Sequence, residues 1–124
     1  MISEERKTVF IVDDDANVRD SARALLESYD LVVEDFESAR AFLDRFQAGS
    51  RGCLLLDLNM PEMNGLELLE LLRRREIGIP VIIVTAETDT EAKERAKRAG
   101  AFAFFGKPVD DSLITAIDQA LKAA

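Results

Sequence analysis

The residues that could do chemistry in this chain are a set of carboxylates, one threonine and one lysine. Asp13, Asp14 and Asp15 stand side by side directly after the apolar run "VFIV", Asp57 follows "CLLL", Thr85 closes "VIIVT", and Lys107 follows "FAFFG". Carboxylates brought into one pocket repel: at about 4 Å and an effective dielectric near ~20, each close pair costs roughly 4 kcal/mol. A proton or a cation must offset that. An all-oxygen donor set with few protein ligands suits Mg²⁺, which keeps several waters and pairs readily with phosphate. With Lys107 as a fixed positive charge and Thr85 as a hydroxyl donor, such a pocket could hold a phosphoryl group, one carboxylate lying in line as nucleophile. Asp15 has a plainer task, since it immediately precedes a helix and is read as its N-cap.

Composition removes several competing chemistries. There is no histidine, so Ser-His-Asp catalysis, histidine-based zinc motifs and a histidine general base are excluded. The net charge of −8 gives no electrostatic footprint for nucleic acid. The single cysteine, Cys53, heads an apolar run and reads as a small buried hydrophobe, which fits a reducing cytoplasm. Neither "CLLL" nor "VIIV" approaches membrane-spanning length, and the charged start "MISEERKTVF" lacks the apolar core of an export signal. An EF-hand reading of "DDDANVRDSARA" fails because Val18 stands where glycine is needed and Ala24 where the bidentate glutamate belongs.

Elements must carry these groups to one place, and their order is visible. In a chain of 124 residues, one domain in size, apolar runs of strand length alternate with segments of helical period: "TVFIV" then 16–28, "LVVEDF" then 38–47, "CLLLD" then 64–75, "VIIVT" then 88–99, and "FAFF" then 111–122. Such alternation predicts an α/β fold with a parallel sheet covered on both faces. Val18, Ala22, Leu25 and Tyr29 are expected on one face of the first helix, and Leu113, Ile117 and Leu121 on one face of the last. Ser38, Asn64 with Glu67, and Thr88 with Glu91 mark helix starts. "CLLL" and "VIIV" read as central strands and "LVVEDF" as an edge, which would hold Asp35 and Glu37 away from the cluster. The fourth helix, whose only apolar side chains are alanines, should be thinly anchored. In an open sheet of this kind ligands bind at the carboxyl ends of the strands, where the reactive residues fall.

With these residues in place, the sequence resembles a response regulator receiver domain, the phospho-acceptor module of bacterial two-component signalling. "VFIVDDDANVR" is similar to the family's acidic pair, "LLLDLNMPEMNGLELL" to its phosphorylation segment, "VIIVTA" to its switch threonine and "GAFAFFGKP" to its lysine-proline motif. The resemblance covers nearly the whole chain, so residues 1–124 are expected to form a single receiver domain. It implies a flavodoxin-like, doubly wound five-stranded sheet of order 2-1-3-4-5 with five helices. It further implies that Asp57 accepts the phosphoryl group and that Asp13, Asp14, Asp57 and the Asn59 carbonyl hold Mg²⁺. Thr85 and Phe104 would act as switch residues, Lys107 would pair with the phosphate, and Lys107-Pro108 would be cis. Asn59 and Glu87 would tune hydrolysis of the acyl phosphate.

The implied function is a signalling switch rather than a conventional enzyme, with self-phosphorylation and autodephosphorylation its only reactions. A sensor histidine kinase or phosphotransfer protein would be the donor, and a downstream output domain or protein the receiver of the signal. The resemblance also admits a phosphorylation-dependent homodimer. Two alternatives stand beside it: an aspartyl-phosphate phosphatase or phosphotransferase, disfavoured because Asn59 stands where such enzymes place a second aspartate, and a non-phosphorylated interaction module. The chain departs from the family pattern at Ala103 and Gly106. It also crowds Phe102, Phe104 and Phe105 into one short segment, rings expected to be mostly core.

Overall fold

Five strands alternate with five helices: β1 (Thr8–Val12), α1 (Ala16–Glu27), β2 (Val32–Phe36), α2 (Ala39–Arg45), β3 (Gly52–Leu56), α3 (Gly65–Arg74), β4 (Val81–Thr85), α4 (Thr90–Arg98), β5 (Ala103–Gly106) and α5 (Ser112–Ala123). The computed structural model describes residues 7–47, 49–86 and 90–123. All strand pairs are parallel and the sheet order is β2-β1-β3-β4-β5. "LVVEDF" thus supplies an edge, while "CLLL" and "VIIV" lie inside, buried at every strand position.

Alternation of side chains along a strand divides the core in two. β1 sends Phe10 and Val12 to a face covered by α2, α3 and α4, where Phe42, Leu69, Leu72 and Ala96 are fully buried. It sends Val9 and Ile11 to the opposite face, where Leu26 of α1 and Leu113 and Ile117 of α5 meet them. Phe10 contacts Phe36, Phe42 and Phe46 at centroid distances of 6.5, 5.7 and 5.6 Å, closing the sheet edge beneath α2. Helix starts follow the expected chemistry. Asp15 accepts the Asn17 N–H at 2.9 Å, Ser38 accepts the Ala41 N–H at 3.0 Å, and Asn64 and Glu67 form a reciprocal capping box. Thr88, expected to start α4, and Glu87 lie outside the described residues.

Two packing expectations need correction. Helix α1 ends at Glu27, so Tyr29 falls beyond the helical period and is 47% exposed, while Leu26, four positions after Ala22, is the residue fully buried. Phe102 precedes β5 rather than belonging to it. Its N–H donates to the Val81 carbonyl at 2.7 Å, and its ring is 40% exposed. Phe104 and Phe105 are partly buried and pack against opposite cores, so the reading of these rings as mostly core holds for two and fails for Phe102.

Candidate functional site

Parallel strands deliver their carboxyl ends to one edge, and their register decides which side chains meet there. Val12 lies opposite Leu56, so the next residues of these neighbouring chains, Asp13 and Asp57, emerge side by side. Their backbones are tied in: the Asp57 N–H donates to the Val12 carbonyl and the Asp13 N–H to the Phe36 carbonyl, each at 3.2 Å. Thr85 lies opposite Gly106, which places Lys107 one step beyond it. A cleft of about 350 Å³ opens here, lined by Asp13, Asp14, Asp57, Asn59, Thr85 and Lys107. The Lys107-Pro108 peptide is cis, as expected.

Lys107 binds both buried carboxylates, its Nζ lying 2.7 Å from Asp13 Oδ2 and 3.1 Å from Asp57 Oδ2. Its ammonium thus spans the two aspartates at the mouth of the cleft. Asp57 Oδ1 accepts the Asn59 N–H at 3.2 Å, and Asp13 Oδ1 accepts the Asp15 N–H at 3.0 Å. Burial pushes the Asp13 carboxyl above its ordinary range; hydrogen bonds from Lys107 and the Asp15 N–H pull it back, the Asp57 charge adds to the rise, and the net direction is up. Burial alone would lower Lys107, but hydrogen bonds and charge from Asp13 and Asp57 outweigh it and hold the ammonium more firmly protonated than usual.

Carboxylate oxygens of Asp13, Asp14 and Asp57 lie within 4.8 Å of one another. Asp13 and Asp57 are buried and Asp14 is exposed, so the donor set is all oxygen and open to water on one side. That arrangement fits a small hard cation such as Mg²⁺, which asks for few protein ligands and retains waters. Asp57 is 5% exposed and lines the cleft together with Asp13 and Asp14.

The remaining candidates divide. Asp35 stands apart as expected, engaged by Arg19 at 3.0 Å and by Arg23. Phe104 sits partly buried against the core shared with α3 and α4. Glu87 lies outside the described residues. Two residues escaped the sequence reading. Gly65 opens α3 so close to the end of β3 that a Cβ would fall 2.1 Å from the Asp57 carbonyl oxygen; a glycine directly after an N-cap, where helix formers are preferred, is its only signal. Arg19 donates from Nη1 to the Asp13 carbonyl at 2.8 Å, and nothing in the sequence separates it from a solvated arginine.

Residues 9–118 match the family model of the response regulator receiver domain. The chain is 42% identical over 115 residues to the transcriptional regulatory protein TdiR of Thauera aromatica, covering 92% of this chain and 51% of that protein. It is 37% identical over 117 residues to the transcriptional regulatory protein FixJ of Bradyrhizobium diazoefficiens, covering 94% and 57%. The crystal structure of FixJ-N superposes with a TM-score of 0.87 at 39% identity, covering 98% of each chain. The chain therefore spans about half the length of the curated relatives it matches. Among the described residues no helix is long and apolar enough to cross a membrane.

Proposed function

The chain belongs to the response regulator receiver domain family, and from that membership we propose that it is a phosphorylation-dependent switch whose Asp57 takes a phosphoryl group from a phosphohistidine on a partner kinase. The observation that carries this reading is the placement of Asp57: buried, hydrogen-bonded by Lys107 and the Asn59 N–H, and open to a cleft it shares with Asp13 and Asp14.

In the transfer, an Asp57 carboxylate oxygen attacks phosphorus in line. The new O–P bond forms as the donor's N–P bond breaks, and the imidazole leaves with that electron pair and takes up a proton. Lys107, already between Asp13 and Asp57, moves its ammonium onto the phosphoryl oxygens as their charge builds. Asp13, Asp14, Asp57 and the Asn59 carbonyl would hold Mg²⁺, whose charge would neutralise phosphoryl oxygens that one lysine cannot serve alone. The product acyl phosphate carries about two negative charges where the free carboxylate carried one. Thr85 is drawn to a phosphoryl oxygen, Phe104 rotates into the space it leaves, and the surface of α4, β5 and α5 shifts. Asn59 and Glu87 would tune hydrolysis of the acyl phosphate by water.

A groove of about 450 Å³ between α1 and the loop after β5, lined by Val18, Leu25, Pro108 and Val109, reaches Lys107 and suits the apolar face of a donor protein. The names of TdiR and FixJ point to transcriptional regulation as the output, delivered by a further domain or a partner. A cytoplasmic setting is part of the proposal, with Cys53 as a reduced, buried thiol. Incubation with acetyl phosphate and Mg²⁺ followed by intact-mass measurement tests the reading. A single phosphoryl adduct on the wild type and none on Asp57→Asn is expected; equal adducts on both, or none on either, would contradict it.

A further inference from the structure

Asp13 is held at four points, and three have a clear origin in the sheet and the site. Its N–H is bound by the Phe36 carbonyl, one carboxylate oxygen by the Asp15 N–H, and the other by Lys107. The fourth point is its carbonyl oxygen, which accepts from Arg19 Nη1 at 2.8 Å. That carbonyl belongs to the peptide joining Asp13 to Asp14. A peptide unit is planar, so fixing its oxygen fixes the direction in which the next residue leaves. Asp14 is exposed, and the chain beneath it is fixed from two sides, by the Asp15 N–H on Asp13 Oδ1 and by Arg19 on the Asp13 carbonyl.

Arg19 is itself held for this task. It lies in the first turn of α1, its N–H donating to the Asp15 carbonyl at 3.0 Å. Its Nε donates to Asp35 Oδ2 at 3.0 Å, so one planar guanidinium spans the end of β2 and the end of β1. Asp35 is steadied in turn by Arg23, which takes Oδ1 and also donates to the Val33 carbonyl at 3.1 Å. The Arg19 side chain is only 16% exposed, so these bonds form where water competes poorly. A lysine could reach one of the two acceptors but could not bridge both, because it lacks the fixed fork.

We propose that Arg19 is a positioning residue for the cation site, setting the Asp13-Asp14 peptide and hence the aim of Asp14, and that Asp35 acts on the same site through Arg19. The inference rests on the reading of Asp13, Asp14 and Asp57 as Mg²⁺ ligands. Partners that orient ligands in this way are worth about 10- to 100-fold in metal affinity.

The test is Mg²⁺ titration by calorimetry on the phosphate-free chain, paired with ¹⁵N-detected hydrogen exchange at the Asp15 amide, whose N–H is held by Asp13 Oδ1, without the ion. Arg19→Ala is expected to bind Mg²⁺ about tenfold more weakly or worse, and to exchange the Asp15 amide faster. Arg19→Lys should recover part of the affinity, and Asp35→Asn should lose a smaller factor than Arg19→Ala. Arg23→Ala, which loosens Asp35 without touching Asp13, should stay within about twofold of wild type, short of the loss expected for a ligand-orienting partner. If Arg19→Ala does not fold, Arg19→Lys carries the test, and wild-type affinity in that variant would overturn the proposal. An Arg23→Ala loss as large as that of Arg19→Ala would also overturn it, because the effect would then be general loosening of α1. A wild-type chain that binds no Mg²⁺ removes the cation reading itself, an outcome distinct from a wild type that binds and an Arg19 variant that binds equally well.

Discussion

Helices α3 and α4 cover the same face of the sheet and are fastened to it in different ways. α3 buries Leu66, Leu68, Leu69 and Leu72 and begins with a complete capping box. α4 buries Ala96 alone. Fully burying a leucine contributes about 1.5–3 kcal/mol, and an alanine methyl well under half of that. α3 also reaches across to the end of α4: Arg73 donates from Nε to the Ala99 carbonyl at 3.1 Å and from Nη2 to the Gly100 carbonyl at 3.2 Å, while its Nη1 donates to the carbonyls of Ile77 and Ile79. These bonds gather at the carboxyl end of α4. An element that must respond to one phosphoryl group cannot be fixed by four leucines, since the phosphate supplies only the differential contact of a few charge-assisted hydrogen bonds. α3 is thus the firmly packed helix of the pair and α4 the thinly packed one, which suits the switch proposed above.

Breaking the stronger side of this comparison should have the largest effect. Leu69→Ala is expected to destabilise the chain by about 3 kcal/mol, read by urea unfolding with an unchanged m value. Arg73→Ala should cost roughly 2 kcal/mol by leaving backbone carbonyls short of a donor. It should also speed amide exchange in α4 far more than in α3; equal acceleration in both would remove the idea that Arg73 fastens one to the other. Partial burial holds the Arg73 guanidinium below its ordinary pKa.

Alkaline pH sharpens the comparison from the opposite face of the sheet. Burial pushes the Cys53 thiol from 9.0 up to about 12, so the folded chain keeps a proton that the unfolded chain releases. Its contribution is intact below about pH 9 and is lost as pH rises toward about 12, at a slope near 1.4 kcal/mol per pH unit. Lys107, also raised, loses its contribution in the same direction at higher pH. Cys53→Ala should flatten the decline between these values, and because Cys53 packs with α1 and α5, the loss should appear as global unfolding rather than as loosening of α4. The smallest effect belongs to the ion pair of Arg95 with Glu70, 3.2 Å apart and well exposed. Arg95→Ala should change stability by about 0.5 kcal/mol or less.

Much of this is legible in the sequence. Uninterrupted "CLLL" and "VIIV" marked strands covered on both faces, and the polar residue ending each strand marked the cleft, because a parallel sheet leaves no other place for them. The thin anchoring of α4 followed from its alanines. What stayed hidden depends on reach rather than type. Arg19 and Arg73 look like ordinary solvated arginines on amphipathic helices, and only the fold shows that each guanidinium ends on backbone carbonyls of another element. The helical period continues in the sequence past Glu27, so it does not show that Tyr29 lies beyond the end of α1, and a run of aromatics does not reveal that β5 begins only after Phe102.

Hydrogen exchange across the chain, measured with and without the phosphoryl group on Asp57, tests the division between α3 and α4 most directly. Exchange should change in α4 and β5 on phosphorylation, while the amides of Leu68, Leu69 and Leu72 keep their protection. Equal changes in α3 and α4, or an α4 that does not respond when Asp57 is fully phosphorylated, would contradict it.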